Sequence, residues 1–235
     1  SGISLFSNNQ FLPKAKDENF NVNNISVKNP LEKDGGILLS ESEKYVDVFF
    51  DSPLTKSSSF INNTYTYNDE NVIVKYYPNG VLEYVKYKSN IGVTNEESPY
   101  NIAIQFLAKD TNIKNEYYLK DFKVEDNKTV FYFDYKINNF PITLSQAKME
   151  ELEMQSIIEV TVEDNRVSKY KRLIYDFYIE EDYTTVEKNF IDTIDTILVN
   201  TNNKDTFIDE MKLVYKFENP NEFLNIQWFV SIDDK

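Results

Sequence analysis

Thr64-Tyr65-Thr66-Tyr67-Asn68-Asp69-Glu70-Asn71-Val72-Ile73-Val74-Lys75-Tyr76 sets two runs of β-branched and aromatic residues on either side of a polar insert. Such runs fit a pleated, half-buried surface, and the Asn/Asp-rich insert supplies turn chemistry, so the stretch predicts two strands and a tight connection. Pro78-Asn79-Gly80 repeats the turn signal, and Val81 to Tyr87 adds a third strand. The short connections make the meander antiparallel.

Towards the C-terminus, Asn95 to Asp110 carries a helical stripe of Ile102, Ala103, Phe106 and Leu107, with Asn95 or Ser98 as cap and Pro99 at a first helical position. Tyr117–Val124 and Thr129–Ile137 are predicted strands joined by Glu125-Asp126-Asn127-Lys128, and Phe140-Pro141-Ile142 closes this block. Ser145 to Gln155 is a short acidic helical stretch. Ser156–Val162 and Val167–Tyr175 are strands joined by Glu163-Asp164-Asn165-Arg166. Tyr183 to Val199 places Val186, Phe190, Ile191, Ile194, Ile197 and Leu198 at helical spacing and predicts the second helix. Glu210–Phe217 and Leu224–Ile232 finish the chain as strands, with Trp228 the single tryptophan. Towards the N-terminus, 51–63 are expected as loop, Ile37 to Phe50 as a strand or edge segment, Asp34-Gly35-Gly36 as a turn, and residues 1 to about 30 as an extended lead-in.

Strands, a helix and further strands thus occur twice, and Val124-Glu-Asp-Asn-Lys128 is echoed by Val162-Glu-Asp-Asn-Arg166. The expected fold class is α+β: two consecutive units of antiparallel sheet, each covered by one amphipathic helix. The expected division is 1–63 as the lead-in, which can supply an edge strand, 64–145 as the first unit and 146–235 as the second. The uncovered face of each sheet is expected to carry Lys, Glu and Tyr.

Composition narrows the chemistry. Aromatics make up 15% of the 235 residues, too many for a disordered chain. The net charge of -14 repels phosphate backbones, so no nucleic-acid partner is expected, nor an anionic membrane surface for the body of the protein. With no cysteine and no histidine, disulfides, zinc–thiolate sites, thiol catalysis and Ser-His-Asp chemistry are excluded. Chemistry based on Lys, Asp or Glu survives. No run of 18 apolar residues is present. The chain begins Ser1-Gly2, and an N-terminal targeting or anchoring segment is expected to lie outside it.

The Glu-Asp-Asn turns lack the alternating ligands, central glycine and terminal glutamate of a calcium loop, and Asp and Asn suit tight turns for backbone reasons. Glu150, Glu151 and Glu153 are expected on a solvated helix face, and Glu180, Glu181 and Asp182 at the start of the second helix, where acids favour the helix dipole. Phosphate-loop and nucleophile-elbow patterns are missing. The runs Tyr132-Phe133-Asp134-Tyr135 and Tyr175-Asp176-Phe177-Tyr178 can pack a sheet face or bind carbohydrate or peptide, with packing the commoner outcome, and Trp228 is expected in the core. No catalytic residue, metal ligand or cofactor is assigned, and the binding residues are left open.

Tyr135 with Phe140-Pro141-Ile142, then Glu163-Asp164-Asn165-Arg166-Val167 and Tyr170, an amphipathic helix, and a closing Trp228-Phe229-Val230 strand follow one another in an order that resembles the YycH/YycI family of regulatory proteins, and YycI more than YycH. Asp34-Gly35-Gly36-Ile37-Leu38-Leu39 looks like a YycI-type segment as well. The resemblance spans residues 34–232. It implies an extracytoplasmic domain of a Gram-positive bacterium, held at the cell membrane by a single N-terminal transmembrane helix. It also implies a non-enzymatic function: binding a YycH-type sister protein and a membrane sensor histidine kinase of a two-component system controlling the cell wall, and modulating that kinase, often by restraint. An alternative from the residues alone is a secreted carboxylate-dependent hydrolase or carbohydrate-binding protein. A third reading is a PepSY-like inhibitory module of another exported protein.

Overall fold

The computed structural model describes residues 20–33, 36–37, 39–87, 97–186, 190–200, 206–220 and 222–234. The expected turn at Asp34-Gly35 and residues 1–19 of the expected lead-in lie outside them. In chain order the strands are β1 (Phe20–Lys28), β2 (Glu32–Lys33), β3 (Gly36–Ile37), β4 (Ser57–Ile61), β5 (Thr64–Asn68), β6 (Val72–Tyr76), β7 (Val81–Lys86), β8 (Glu116–Glu125), β9 (Lys128–Ile137), β10 (Phe140–Leu144), β11 (Ile158–Glu163), β12 (Arg166–Leu173), β13 (Asp176–Val186), β14 (Thr206–Phe217) and β15 (Asn225–Asp234). The α-helices are α1 (Leu39–Val46), α2 (Pro99–Leu107), α3 (Gln146–Leu152) and α4 (Phe190–Asn200). Among the described residues no helix is long and apolar enough to cross a membrane.

Eleven strands form one mixed sheet in the order β15-β14-β10-β9-β11-β12-β7-β6-β5-β4, with β8 on the other edge of β9. β10 and β14 are parallel, and every other pair in this sheet is antiparallel. This overturns the expected α+β class of two sheets, each under its own helix. Strands expected in different units pair directly: β12 with β7, and β10 with β14. α2 packs on β9, β11 and β12, which come from both expected units. Hairpins are local and visible in a sequence, whereas the pairings that fuse the halves join strands far apart in the chain.

Local chemistry explains most of the elements. Four hairpins turn through two-residue loops built from Asn and Asp: Asn62-Asn63, Asp126-Asn127, Asn138-Asn139 and Asp164-Asn165. Seven of these eight residues hold a positive φ, the backbone that tight hairpins require and that Asn and Asp tolerate best after glycine. Gly80 is needed twice over: its φ is +85°, and an added Cβ would meet the Tyr175 ring at 2.5 Å. Ser98 caps α2 by accepting from the Asn101 N–H, with Pro99 in the first turn, as the spacing predicts.

Three expectations change. Ile37 to Phe50 is chiefly the helix α1 followed by a 3-10 turn at Asp47–Phe49 rather than a strand. Residues 57–61, expected as loop, form β4. The second helix begins at Phe190, because Tyr183 to Val186 extend β13, where β1 pairs with them.

Val74, Tyr84, Tyr170, Val160 and Phe131 stand opposite one another across five strands, all buried on one face of the sheet. α1 and α2 cover this face: Ser42 lies 2.7 Å from the Tyr67 hydroxyl, and Phe106 stacks on Phe49 and meets Tyr84 tilted and Tyr170 edge-on. The other face carries Lys75, Glu83, Lys169 and Lys171, as expected of a wet sheet surface, with a Glu83–Lys169 ion pair at 2.8 Å. The β1–β13 ribbon lies over the β9–β10–β14 part, where Phe177 packs on Tyr135 and Phe217 and the Tyr215 hydroxyl donates to the Asn23 carbonyl at 3.0 Å.

The two parts of the sheet meet at a fork. One edge of β9 is taken by β8 along its length. The other edge is shared: β11 pairs with residues 128–133 and β10 with 135–137. Asp134 stands at the split, fully buried. Its Oδ1 accepts the Ile157 N–H at 3.1 Å, and its Oδ2 lies 3.2 Å from Lys120 Nζ. Burial raises its pKa above the ordinary carboxylate value, and Lys120, the Ile157 amide and Ser156 only partly offset that.

The folded protein therefore holds the Asp134 proton more tightly than the unfolded chain does. The group's contribution to stability is full below the unfolded carboxylate's pKa and is lost as pH rises through the folded one. Asp134→Asn keeps an acceptor for Ile157 and removes the titration. Measured by urea unfolding from about pH 4 upward, the stability of this variant relative to the parent is expected to rise with pH. A flat or falling difference contradicts the account.

Candidate functional site

The residues singled out in the sequence go mainly to structural places. Glu125-Asp126-Asn127 and Glu163-Asp164-Asn165 are hairpin corners, and the exposed Glu125 is drawn down to about 2 by its bonds to Lys123 and Lys128. Among the described residues no group of three or more acidic side chains is placed to hold a metal ion. Glu150, Glu151 and Glu153 are exposed on α3 and at its C-cap. Glu180, Glu181 and Asp182 do not open a helix. They lie within β13, where the Glu180 carboxylate accepts from the Ser26 hydroxyl across the ribbon. In the aromatic runs Phe133, Tyr135, Tyr175 and Phe177 are buried, while Tyr178 is exposed. Trp228 is half-buried on β15 opposite Leu213, outside the buried core.

A buried ion-pair cluster was not visible in the sequence. Arg172 on β12 and Asp110 just after α2 are 1% and 2% exposed in their side chains and are joined at 2.6 Å. The Tyr170 hydroxyl donates to the same Asp110 oxygen at 2.8 Å, and Arg172 Nη2 donates to the Asn112 carbonyl at 2.9 Å. Nearby, Lys114 pairs with the buried Asp176, which also accepts from the Tyr178 hydroxyl at 3.0 Å. These bonds pin the chain leaving α2 to the sheet. Every charged member has a partner, which gives the cluster a structural role.

That pinning shapes a cleft of about 320 Å³ at one end of the sheet. Its floor is apolar, with Phe49, Val72, Tyr84, Ile102 and Phe106. Its walls carry three cations, Lys86, Lys109 and Arg166, and three carboxylates, Asp51, Asp69 and Glu97. The Asp69 carboxylate is fixed by the Asn71 and Val72 N–H groups, each at 2.7 Å, and Glu97 accepts from Gln105 at 2.9 Å. Burial raises the Tyr84 phenol to about 12, with Asp51 and Asp69 adding to the shift and Arg166 opposing it, so its hydroxyl end lies among these charges. These residues come from several separate segments, so no short motif could have announced them.

A second surface is the β4 end of the sheet. All five β4 residues are exposed, and among the described residues one edge of β4 is unpaired. Leu54, Phe60 and Ile61 are 98%, 55% and 67% exposed. The two-residue loop makes Ile61 and Thr64 a hydrogen-bonded pair, so ladder alternation turns the backbone groups of Ser58 and Phe60 outward.

The fold defines a mostly-β protein built on one forked mixed sheet. Among solved structures it is similar to an uncharacterized protein from Eubacterium rectale ATCC 33656, with a TM-score of 0.53, 13% identity, and coverage of 90% of this chain and 77% of that one. The Bacillus megaterium YpeB C-terminal domain aligns with a TM-score of 0.42 and 13% identity over 84% of this chain and 89% of that one. No family model and no curated protein matches the chain. The first likeness concerns the fold alone.

Removing one member of a buried ion pair leaves an uncompensated charge, at a cost of about 3–5 kcal/mol, whereas replacing both with apolar residues is often close to neutral. Arg172→Met and Asp110→Leu are each expected to lower stability in urea unfolding by that amount, and the double variant to recover most of it. Additive losses in the double variant contradict the assignment.

Proposed function

We propose that this chain is a non-enzymatic, extracytoplasmic binding domain whose output is contact with another protein. Its sequence resemblance to the YycH/YycI family supplies the partner: a membrane sensor histidine kinase of a cell-wall-controlling two-component system, joined by a YycH-type sister protein, with restraint as the sign of regulation. The observation that carries the reading is the β4 edge, unpaired among the described residues, with Leu54, Phe60 and Ile61 exposed beside it. Proteins blunt open edges with charge, proline or a covering element, because an edge templates pairing with another chain. Here the strand is Ser57-Ser58-Ser59-Phe60-Ile61, with no charge and no proline. An extended segment can add to such an edge by backbone hydrogen bonds while its side chains meet the apolar residues. With a net charge of -14, the favoured segment is neutral or basic.

The test is co-purification of the chain with the membrane-embedded sensor kinase of its source bacterium. The parent chain is expected to be retained. Ser58→Pro, which blocks an outward N–H and spares the β4–β5 ladder, is expected to lose most of that retention with an unchanged circular dichroism spectrum. Failure of the parent chain to co-purify sinks the kinase reading. Equal retention of the folded proline variant sinks the β4 edge as the contact.

A further inference from the structure

The geometry points to the cleft between α2, the Asp47–Phe49 turn and the ends of β6, β7 and β12 as a binding site for a small zwitterion, of the size of an amino acid or dipeptide and carrying an apolar side chain. This is separate from the β4 edge and does not depend on the kinase reading.

Tyr84 supplies the first observation. It is 5% exposed, lines the cleft and rests its ring on Phe49 and Phe106. Its hydroxyl makes no hydrogen bond among the described residues, a condition it shares with Tyr45 and Tyr175, while Tyr67, Tyr76, Tyr170 and Tyr215 are bonded. The ring is buried but the hydroxyl is not, so it opens on the cleft. A hydroxyl held at a cleft wall among Asp51, Asp69 and Arg166 is placed to give or accept a bond from a ligand.

The cations are the second observation. Lys86 and Lys109 form no ion pair among the described residues, although three carboxylates share their cleft. Some lysines elsewhere are paired, Lys56 with Asp47 and Lys169 with Glu83, both at 2.8 Å, while Lys75 opposite Glu83 forms no ion pair among the described residues. A site bearing three charges of each sign disfavours a ligand of one sign, since that ligand meets three like charges. A zwitterion instead sets its carboxylate against Lys86, Lys109 or Arg166 and its ammonium against Asp51, Asp69 or Glu97. The floor of Phe49, Ile102 and Phe106 takes the apolar side chain. A volume of about 320 Å³ is at the small end of ligand pockets, which run from about 300 to 1,000 Å³.

The test is calorimetric titration of the whole chain with L-alanyl-L-phenylalanine, its N-acetyl derivative and its C-terminal amide. The free dipeptide is expected to bind, and masking either terminus to weaken binding at least tenfold. Tyr84→Phe and Lys109→Gln are each expected to weaken it several-fold while leaving the melting temperature within a degree or two, which separates a ligand contact from a packing role. No binding at millimolar dipeptide overturns the proposal. So does binding indifferent to masking both termini, which would mean that the apolar floor alone is recognised. Unchanged binding in both variants places the ligand elsewhere and overturns it as well.

Discussion

A β-strand has two edges, and β9 serves three partners with them. β8 occupies one edge, while β11 and β10 divide the other on either side of Asp134. A divided edge interrupts the ladder, and the backbone groups at the break need partners as much as any others in a buried sheet. Asp134 meets that need from a side chain by accepting the Ile157 N–H. Glu159 does the same one step away by accepting from Gln155 N, and burial is the main cause that raises its pKa too. Two desolvated carboxylates thus hold the segment through which the chain leaves α3 and enters β11. The price is one fully buried acid and one half-buried acid, and the result is a single sheet where sequential hairpins alone would leave two.

Joining the halves fixes what lies over them. Because β9, β11 and β12 are neighbours, one short helix, α2, can cover all three, and because β12 also borders β7, Arg172 can hold the chain leaving α2 against the middle of the sheet. The cleft is a consequence of that placement. Its walls are the α2 face, the turn after α1 and the loops at the ends of β6, β7 and β12, and none of these meets the others until the sheet is assembled.

How much of this was legible in the sequence depended on distance along the chain. Asp126-Asn127 and Asp164-Asn165 marked two of the four hairpins, and Ser98-Pro99 marked α2, because turns and caps are decided by neighbouring residues. β1 was hidden: Val22, Ile25 and Val27 lose strict alternation at a bulge between Asn23 and Ile25, and its partner is β13. β4 was hidden because all five of its residues are exposed, so no apolar alternation exists to be seen. The start of the second helix was misplaced because the apolar spacing from Val186 fitted a helix, although Tyr183-Thr184-Thr185-Val186 carries the β-branched and aromatic residues of a strand. Of the candidate site, only the types of residue were foreseeable. Asp51, Asp69, Lys86, Glu97, Lys109 and Arg166 are ordinary surface charges until the fold gathers them.

The claim beneath all of this is that the sheet is one cooperative unit joined through β9, with the β4 edge at one end and β14–β15 at the other. Trp228, the single tryptophan, stands on β15 and reports on that end alone, while far-ultraviolet circular dichroism reports on all the strands. Urea unfolding followed by both signals on the same samples tests the claim directly. A sheet joined at β9 predicts superimposable transitions with one midpoint. A Trp228 transition that precedes or follows the circular dichroism transition would show two separately folding halves and contradict it.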